Sequence, residues 1–234
     1  MTRRTAFRIG GAFLVFGVAG LVWWGARVGP MFGGGWRDMA ALMPGMTGFG
    51  GMMGGGMMGS DPGKAMGSAM VNAPGPRIPA AQAESLGAAA PAGATVDRAA
   101  NRVVFTTKTV QFAVLGSPPT GRDMTFQIAG LADPTVVVPA GSTVTVRFIN
   151  ADHDEAHGWL LTPARPPFPY MAMMGAPVAF PGAVARPLGD PNAAGMPEES
   201  ITFRASAGGQ YTYLCPVPGH AQQGMFGTFQ VGSA

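Results

Sequence analysis

The sequence near the C-terminus of the chain reads Tyr211-Thr-Tyr-Leu-Cys215-Pro-Val-Pro-Gly-His220-Ala-Gln-Gln-Gly-Met225-Phe-Gly227. Its first five residues predict a β-strand, because Tyr and Thr are enriched in strands. The loop that follows places Cys215, His220 and Met225 five residues apart. A thiol, an imidazole and a thioether on one short loop are side chains that together bind a soft metal ion. The stretch therefore predicts a metal site built on this loop.

The donor types favour copper over other metals. Soft sulfur ligands stabilise Cu(I), whereas imidazole suits both Cu(I) and Cu(II), so one thiolate, two imidazoles and a weak thioether suit an ion that alternates between the two states. This is the ligand set of a mononuclear blue-copper site. The loop supplies one imidazole, so the second must come from elsewhere in the chain.

Two residues are candidates for the second imidazole, because the chain holds only three His. His157 is the favoured candidate, since it opens an apolar run at residues 157–162 and follows the alternating stretch 144–150, both of which predict strands. His153 is the alternative. It lies in a turn rich in Asp and Glu, where a His is more often solvated than bound to a metal.

From about residue 80 onward the chain resembles the rusticyanins and sulfocyanins, a family of blue copper proteins. The resemblance is carried by residues 138–150, by the run that starts at His157, and by the pattern Cys-x-x-Pro-Gly-His-x-x-x-Gly-Met-Phe-Gly from Cys215 onward. It implies an all-β, Greek-key cupredoxin sandwich with one type 1 copper, and a role in respiratory electron transfer rather than enzyme catalysis. The ligands that it implies are His157, Cys215, His220 and Met225.

The chain departs from the family pattern in two places. Cupredoxins commonly carry Ser or Asn after the upstream ligand His, where its side chain ties down the Cys loop, whereas this chain has Gly158. Residues 1–78 also lie outside the part that resembles soluble rusticyanin.

The numbers of Cys and His exclude several other copper and redox proteins. A single Cys rules out an internal disulfide, a Cys-x-x-Cys haem attachment and a binuclear copper site with paired thiolates. Three His cannot fill the additional copper sites of a multicopper oxidase. An enzyme with Cys215 as nucleophile and His220 as base is disfavoured, because two residues on one tight Pro-containing loop with a nearby Met match metal ligation better than a base oriented by a third group.

Residues 1–29 are predicted to form a basic cytoplasmic end and a transmembrane anchor. Three Arg precede residues 9–26, which are uncharged and long enough to cross a bilayer. The positive-inside rule then puts the copper domain on the extracytoplasmic side of the cytoplasmic membrane. A cleaved signal peptide is the alternative, but residues 26–30 make a poor cleavage site.

Residues 30–78 are predicted to be a flexible linker rich in Gly and Met. Ten of the 17 Met of the chain fall between Met31 and Met70. Gly-rich chains behave as coils, which favours a tether. Thioethers also bind Cu(I), so the alternative is a copper-collecting tract and a function in copper binding or delivery.

Charge is distributed unevenly along the chain. Residues 1–78 hold seven basic and two acidic residues, a net charge of +5, which leaves −2 of the whole-chain +3 for residues 79–234. The basic pI of about 9.5 therefore does not indicate a nucleic-acid surface on the folded part. The low charged fraction predicts a largely apolar docking face, and the resemblance implies a c-type cytochrome, a quinol-oxidising complex or a terminal oxidase as redox partner.

Residues 79–234 are predicted to form the cupredoxin domain, which we expect to be monomeric. One short helix is predicted at residues 80–90, before Pro91. Nine strands are predicted from short runs between Gly and Pro residues: 103–107, 110–115, 124–128, 135–138, 143–150, 158–162, 200–204, 211–215 and 228–231. Residues 163–199 are predicted to be a long Pro-rich loop that forms an apolar lid near the copper, and its Met171, Met173 and Met174 are alternatives to Met225 as the thioether ligand.

Overall fold

The computed structural model of the protein describes residues 61–232. Helices α1 (Pro62–Ala69), α2 (Ala80–Ala88) and α3 (Ala172–Gly175) accompany thirteen strands in this range. The strands are β1 (Arg77–Ile78), β2 (Ala94–Asp97), β3 (Arg102–Phe105), β4 (Thr109–Gly116), β5 (Phe126–Ile128), β6 (Leu131–Ala132), β7 (Thr135–Val138), β8 (Ser142–Asn150), β9 (His157–Thr162), β10 (Val184–Leu188), β11 (Met196–Ala205), β12 (Gly209–Leu214) and β13 (Phe226–Val231).

The strands form two sheets that pack as a sandwich. One sheet has the order β1-β11-β8-β4-β5-β6 and the other has the order β10-β9-β12-β13-β7-β3-β2. Strands that are distant in sequence are neighbours in both sheets: β4 pairs in parallel with β8, and β13 with β7. The all-β class predicted from the sequence is confirmed.

The core lies between the sheets and is built by alternation along the strands. From Ile201 onward in β11, and throughout β13, every second side chain is buried, so one face of each strand meets the opposite sheet. Aromatic rings fill the centre, where Trp159 stacks on Tyr213 and on Phe203 with ring centroids 6.2 Å apart in each pair. This packing joins β9 and β12, and these strands lead to the predicted metal ligands.

All nine predicted strands occur in the structure, with ends shifted by a few residues, and the predicted helix is α2. The strands that the sequence did not predict are short or lie at sheet edges: β1, β2, β6 and β10.

The long loop predicted at residues 163–199 is only partly a loop. It contains α3, β10 and the first residues of β11. The strand β10 includes Pro187, which favoured the loop prediction, but β10 lies at the edge of its sheet, where Pro is tolerated because one side of the strand needs no hydrogen-bond donors.

The predicted flexible linker ends earlier than residue 78. Within that range, α1 begins at Pro62 after Asp61, whose side chain accepts a hydrogen bond from the amide of Gly63 as an N-cap. The strand β1 then pairs with β11. The high Gly content concealed this order, because contacts with the sandwich, rather than helix propensity, stabilise α1.

The predicted transmembrane span at residues 9–26 lies outside the described residues. Between residues 61 and 232, no helix is both long and apolar enough to cross a bilayer.

Candidate metal centre

The four predicted ligands are brought together by three adjacent strands, β9, β12 and β13. His157 is the first residue of β9, and Cys215 directly follows β12. His220 and Met225 lie on the connection to β13, which we call the ligand loop (residues 215–225). Because β12 pairs with both β9 and β13, the start of β9 and the whole ligand loop meet at one end of the sheet.

The three strongest donor atoms converge on one point. The Sγ atom of Cys215 is 3.8 Å from Nδ1 of His157 and 3.5 Å from Nδ1 of His220, and the two Nδ1 atoms are 3.0 Å apart. These separations are those of atoms that share one metal ion at bond lengths of about 2.0 to 2.3 Å. Both imidazoles and the thiol are buried.

Met225 is also buried at the end of the ligand loop. The amide of Met225 donates to the carbonyl oxygen of His220 over 3.0 Å, and the amide of Cys215 donates to the carbonyl oxygen of Met225 over 3.1 Å. The alternative thioethers Met171, Met173 and Met174 are all exposed. Their exposure favours Met225 as the thioether of the site.

His153, the alternative imidazole, is exposed to solvent and is not part of the cluster. It lies four residues before His157, at the outer tip of the turn between β8 and β9. We call residues 151–156 the acidic turn.

Electrostatics favour the thiolate form of Cys215. Burial raises the pKa of this thiol, but hydrogen bonds from His157 and His220 outweigh burial and bring its pKa down to about 6. Burial lowers the pKa of His157, whereas its hydrogen bond with Asp152 and its contact with Cys215 raise that pKa to about 9. The site is therefore arranged to hold a thiolate, which is the form of Cys that binds metals.

Each imidazole presents its other ring nitrogen to a buried carboxylate from the acidic turn. The Nε2 atom of His157 is 2.9 Å from Oδ2 of Asp152, a hydrogen-bonding distance. The Nε2 atom of His220 is 3.2 Å from Oε2 of Glu155, but the groups are not aligned as a hydrogen bond. Sequence reasoning placed both carboxylates in a solvated turn and missed these contacts.

Asn150 holds the acidic turn in place. Its side-chain amide donates to the carbonyl oxygens of Glu155, Leu188 and Gly189 at 2.9, 3.1 and 3.0 Å, and its Oδ1 accepts from the amide of Asp152. These bonds join the turn to itself and to the end of β10. In the sequence, an Asn at the end of a predicted strand and directly before an acidic turn is the one local feature that goes with this arrangement.

Helix α1 covers the outer edge of His220. The carbonyl oxygen of Gly63 accepts a hydrogen bond from the amide of Ala156 over 2.9 Å. A Cβ atom at position 63 would lie 2.6 Å from Nε2 of His220 and 2.9 Å from Oε2 of Glu155, so only Gly allows the helix to approach this closely. As a result His220 is only 1% exposed.

Gly158, the departure from the family pattern, is a packing position. A Cβ atom there would lie 2.9 Å from Cγ of Pro216 and 3.1 Å from the carbonyl oxygen of Ala185. Pro216, the residue after Cys215, therefore packs directly against the backbone of Gly158, where a side chain would not fit. The ligand loop is held at this point by contact rather than by a side-chain hydrogen bond.

Comparison with known proteins agrees with this geometry. A family model described as the sulfocyanin (SoxE) domain matches residues 98–234. The chain belongs to the sulfocyanin family. This match covers the ligand loop, the acidic turn and all strands from β3 onward, which confirms the resemblance found in the sequence.

Individual relatives of this chain include rusticyanins and an auracyanin. Rusticyanin of Acidithiobacillus ferrooxidans is 34% identical over 125 residues, which cover 53% of this chain and 77% of the relative. Auracyanin-A of Chloroflexus aurantiacus is 34% identical over 98 residues, covering 36% of this chain and 57% of the relative.

Solved structures of rusticyanin share the fold. The structure of rusticyanin from Thiobacillus ferrooxidans at 1.27 Å has a TM-score of 0.57 and 26% identity, and the match covers 67% of this chain and 96% of that one. Reduced rusticyanin gives a TM-score of 0.58 at 27% identity, with 67% and 98% covered. A further similar structure is that of rusticyanin described as a copper protein, and the donor set described above fits the copper cofactor predicted from the sequence.

Proposed function

We propose that the chain is a type 1 blue-copper electron carrier that passes single electrons between respiratory-chain components outside the cytoplasmic membrane. The observation that carries the proposal is the convergence of His157, Cys215 and His220, whose ligand atoms all lie within 4.8 Å of one another in a buried site of the sulfocyanin fold. Met225 completes the set as the weak axial ligand.

The described residues have the properties that a carrier needs. Copper, when bound, supplies the Cu(II)/Cu(I) couple. His157 and Cys215 are fixed by the pairing of β9 with β12, and the ligand loop is closed by its own backbone hydrogen bonds. A framework that keeps nearly the same geometry in both oxidation states reorganises little, and electron transfer is then fast.

Burial of the thiol supports a carrier rather than an enzyme. A Cys nucleophile must reach its substrate and is therefore partly exposed. Cys215 is fully buried and lies within reach of two imidazoles. Its low pKa is accounted for by these metal-ligand neighbours.

An apolar patch beside the site is proposed as the docking face for redox partners. The carbonyl oxygen of Tyr170 accepts a hydrogen bond from the amide of Gly219, which precedes His220. Tyr170, Met173 and Met174 are exposed by 47%, 47% and 64%. Large exposed apolar groups next to one another mark interaction sites, and Met adapts to varied partners. A c-type cytochrome, a quinol-oxidising complex or a terminal oxidase is the proposed partner.

The proposed location is the extracytoplasmic side of the cytoplasmic membrane, with the chain anchored through residues 9–26. The support comes from the sequence alone: an uncharged apolar run of 18 residues preceded by Arg. Extraction of membranes with high salt and then with detergent tests the anchor. Release of the full-length chain by salt alone would contradict it.

Substitution of Cys215 by Ser tests the copper function. The purified protein is expected to show the intense blue colour of a Cu(II)–thiolate bond, and Cys215→Ser is expected to abolish it while leaving the fold intact. His153→Ala is the matched control, because His153 is exposed and is expected to leave the colour unchanged. A blue Cys215→Ser protein would remove the proposal.

Copper delivery through the Met-rich segment stays the alternative. Deletion of residues 31–60 leaves α1 intact and separates the two functions. A carrier keeps its copper loading and electron-transfer rate after this deletion, whereas a delivery protein loses copper loading. Copurification from detergent extracts is expected to identify the redox partner.

A further inference from the structure

Two buried carboxylates contact the copper-ligand imidazoles on the side away from Cys215. Asp152 reaches Nε2 of His157 at 2.9 Å, and Glu155 reaches Nε2 of His220 at 3.2 Å. The Asp152 and Glu155 side chains are only 9% and 7% exposed. A buried carboxylate is costly unless it has a partner, so this pairing of both rings needs an explanation.

We propose that Asp152 and Glu155 are positioning residues that hold the two ligand imidazoles by their Nε2 atoms and shift the copper couple toward Cu(II). The inference rests on the proposed copper function. A carboxylate that accepts a hydrogen bond from Nε2 fixes the ring so that Nδ1 faces the metal, and it also makes the imidazole a stronger donor.

Charge acts in the same direction. Cu(II) carries one more positive charge than Cu(I), so negative charge next to the ligands stabilises the oxidised state more. Both carboxylates are shielded from water, and electrostatic interactions between buried groups are screened little by salt. An apolar site predicts a high reduction potential, and these two groups lower it relative to the same site without them.

The acidic turn is built to hold both groups in these positions. The Oδ1 atom of Asp152 accepts a hydrogen bond from the amide of Asp154 over 3.0 Å, which leaves Oδ2 for His157. Asn150 binds the carbonyl oxygen of Glu155 and the amide of Asp152. If the two side chains only pointed into solvent, the backbone of the turn would not have to be held by these hydrogen bonds.

The two contacts differ, and this difference gives a ranking. Asp152 is aligned with Nε2 of His157 as a hydrogen bond, whereas Glu155 is close to His220 without that alignment. Asp152 therefore acts through both a hydrogen bond and a charge, and Glu155 acts mainly through its charge. Removal of the Asp152 charge is expected to have the larger effect.

The test compares Asp152→Asn and Glu155→Gln with Asp154→Asn in the full-length, copper-loaded protein. Asp154 is the matched control, because it lies in the same turn but its side chain is 69% exposed and contacts Lys64. Spectroelectrochemical titration gives the Cu(II)/Cu(I) potential. For Asp152→Asn the equilibrium is expected to move 10- to 100-fold toward Cu(I), at about 59 mV for each tenfold change. For Glu155→Gln we expect the Cu(II)/Cu(I) equilibrium to move about tenfold toward Cu(I), and for Asp154→Asn we expect a change of less than twofold.

Copper affinity and spectra separate tuning from simple structural damage. Competition with chelators is expected to show weaker Cu(II) binding and nearly unchanged Cu(I) binding in Asp152→Asn. Its absorption spectrum should stay that of a blue site. The reduction potential of Asp152→Glu should lie between those of the wild type and Asp152→Asn. If Asp152→Asn does not fold, the potentials, copper affinities and spectra of Glu155→Gln and Asp152→Glu test the proposal instead.

The outcomes distinguish this inference from the proposed function. A wild-type protein without a blue copper site would overturn both. A blue wild-type protein in which Asp152→Asn and Glu155→Gln change the potential no more than Asp154→Asn would overturn the positioning role alone. Equal loss of Cu(I) and Cu(II) affinity would also overturn it, because that result indicates disruption of the site rather than stabilisation of one oxidation state.

Discussion

The backbone amide of Cys215 donates a hydrogen bond to the carbonyl oxygen of Met225, and the two atoms are 3.1 Å apart. This bond joins the first and last residues of the ligand loop directly. Since β12 and β13 pair immediately beyond it, from Leu214 with Phe226 onward, the loop is closed at its base by the sheet itself. The separation of the thiolate and thioether residues is therefore set by sheet geometry.

Substitution of Met225 by Gln is expected to lower the reduction potential. An amide oxygen is a harder ligand than a thioether and favours Cu(II). We expect a change in the Cu(II)/Cu(I) equilibrium on the order of tenfold, or about 59 mV, measured by voltammetry. Met174→Gln, at an exposed position on α3, is the control. An unchanged potential in Met225→Gln would show that Met225 is not the axial ligand.

Substitution of Gly67 by Val is expected to detach α1 from the site. A Cβ atom at this position would overlap the carboxylate of Asp190 and lie 3.0 Å from the amide nitrogen of Ala156. The edge of His220 would then be uncovered, and reduction by a small inorganic complex should become severalfold faster. Stopped-flow absorbance at the blue band measures this rate.

The control for α1 is Ser68→Val, which places the same side chain on the exposed face of the same helix. It is expected to leave the rate unchanged, because the side chain of Ser68 bonds only backbone carbonyls of α1. Equal rates in the Gly67 and Ser68 variants would mean that α1 does not limit access to the site.

Substitution of Gly158 by Ser is expected to destabilise the protein by about 1–3 kcal/mol, the usual cost of overpacking a filled site. The new Cβ atom would push against Pro216, so the absorption band of the Cys215 thiolate should also shift. Thermal unfolding and the visible spectrum measure the two effects. Gly175→Ser is the control, because no atom outside its chain neighbours and its own helix backbone lies within 4 Å of a Cβ built there. A fully stable Gly158→Ser protein would contradict the packing role.

The carboxyl group of Asp133 is expected to make the protein more stable in acid. Burial raises its pKa to about 6, although the amide of Phe126 and the guanidinium of Arg122 act in the opposite direction. The folded state thus favours the protonated form. Its contribution is complete below the ordinary pKa of about 4 and is lost as the pH rises through 6.

Asp133→Asn removes this pH dependence and keeps the acceptor for the amide of Phe126. We expect it to raise the free energy of unfolding at pH 8, relative to the wild type, by roughly 2–3 kcal/mol more than at pH 3. Urea unfolding at the two pH values measures this difference. Asp97→Asn, at an exposed position, is the control. An identical pH profile in Asp133→Asn and the wild type would show that Asp133 does not titrate in this way.

Much of the β-sandwich could be predicted because its strands follow local rules. Most of β8 and the second half of β11 alternate between buried and more exposed side chains, and Gly and Pro residues precede each of these strands. The strand β6 has only two residues, too few for such a pattern, and β2 has no buried residue to mark it. Strand β10 contains Pro187, so its strand character depends on its place at the sheet edge.

His157, Cys215 and His220 lie close together, and three of the four predicted ligand residues lie on one loop. The five-residue spacing of Cys215, His220 and Met225 is a local property of the chain, and the small number of His left few choices for the fourth ligand. Soft sulfur with imidazole then indicates copper on chemical grounds alone. Fold class, metal type and candidate ligands could therefore be inferred without coordinates.

The surroundings of the two imidazoles depend on contacts between segments that are far apart in the chain. Gly63 lies against His220, and Asn150 bonds the end of β10. Apart from Asn150, which stands directly before the acidic turn, no local pattern indicates these contacts, since a Gly-rich segment and an acidic turn are both typical of solvated chain. Only three-dimensional packing determines that α1 covers the site and that Asp152 and Glu155 face the metal ligands, because burial and the resulting electrostatics arise where distant segments meet.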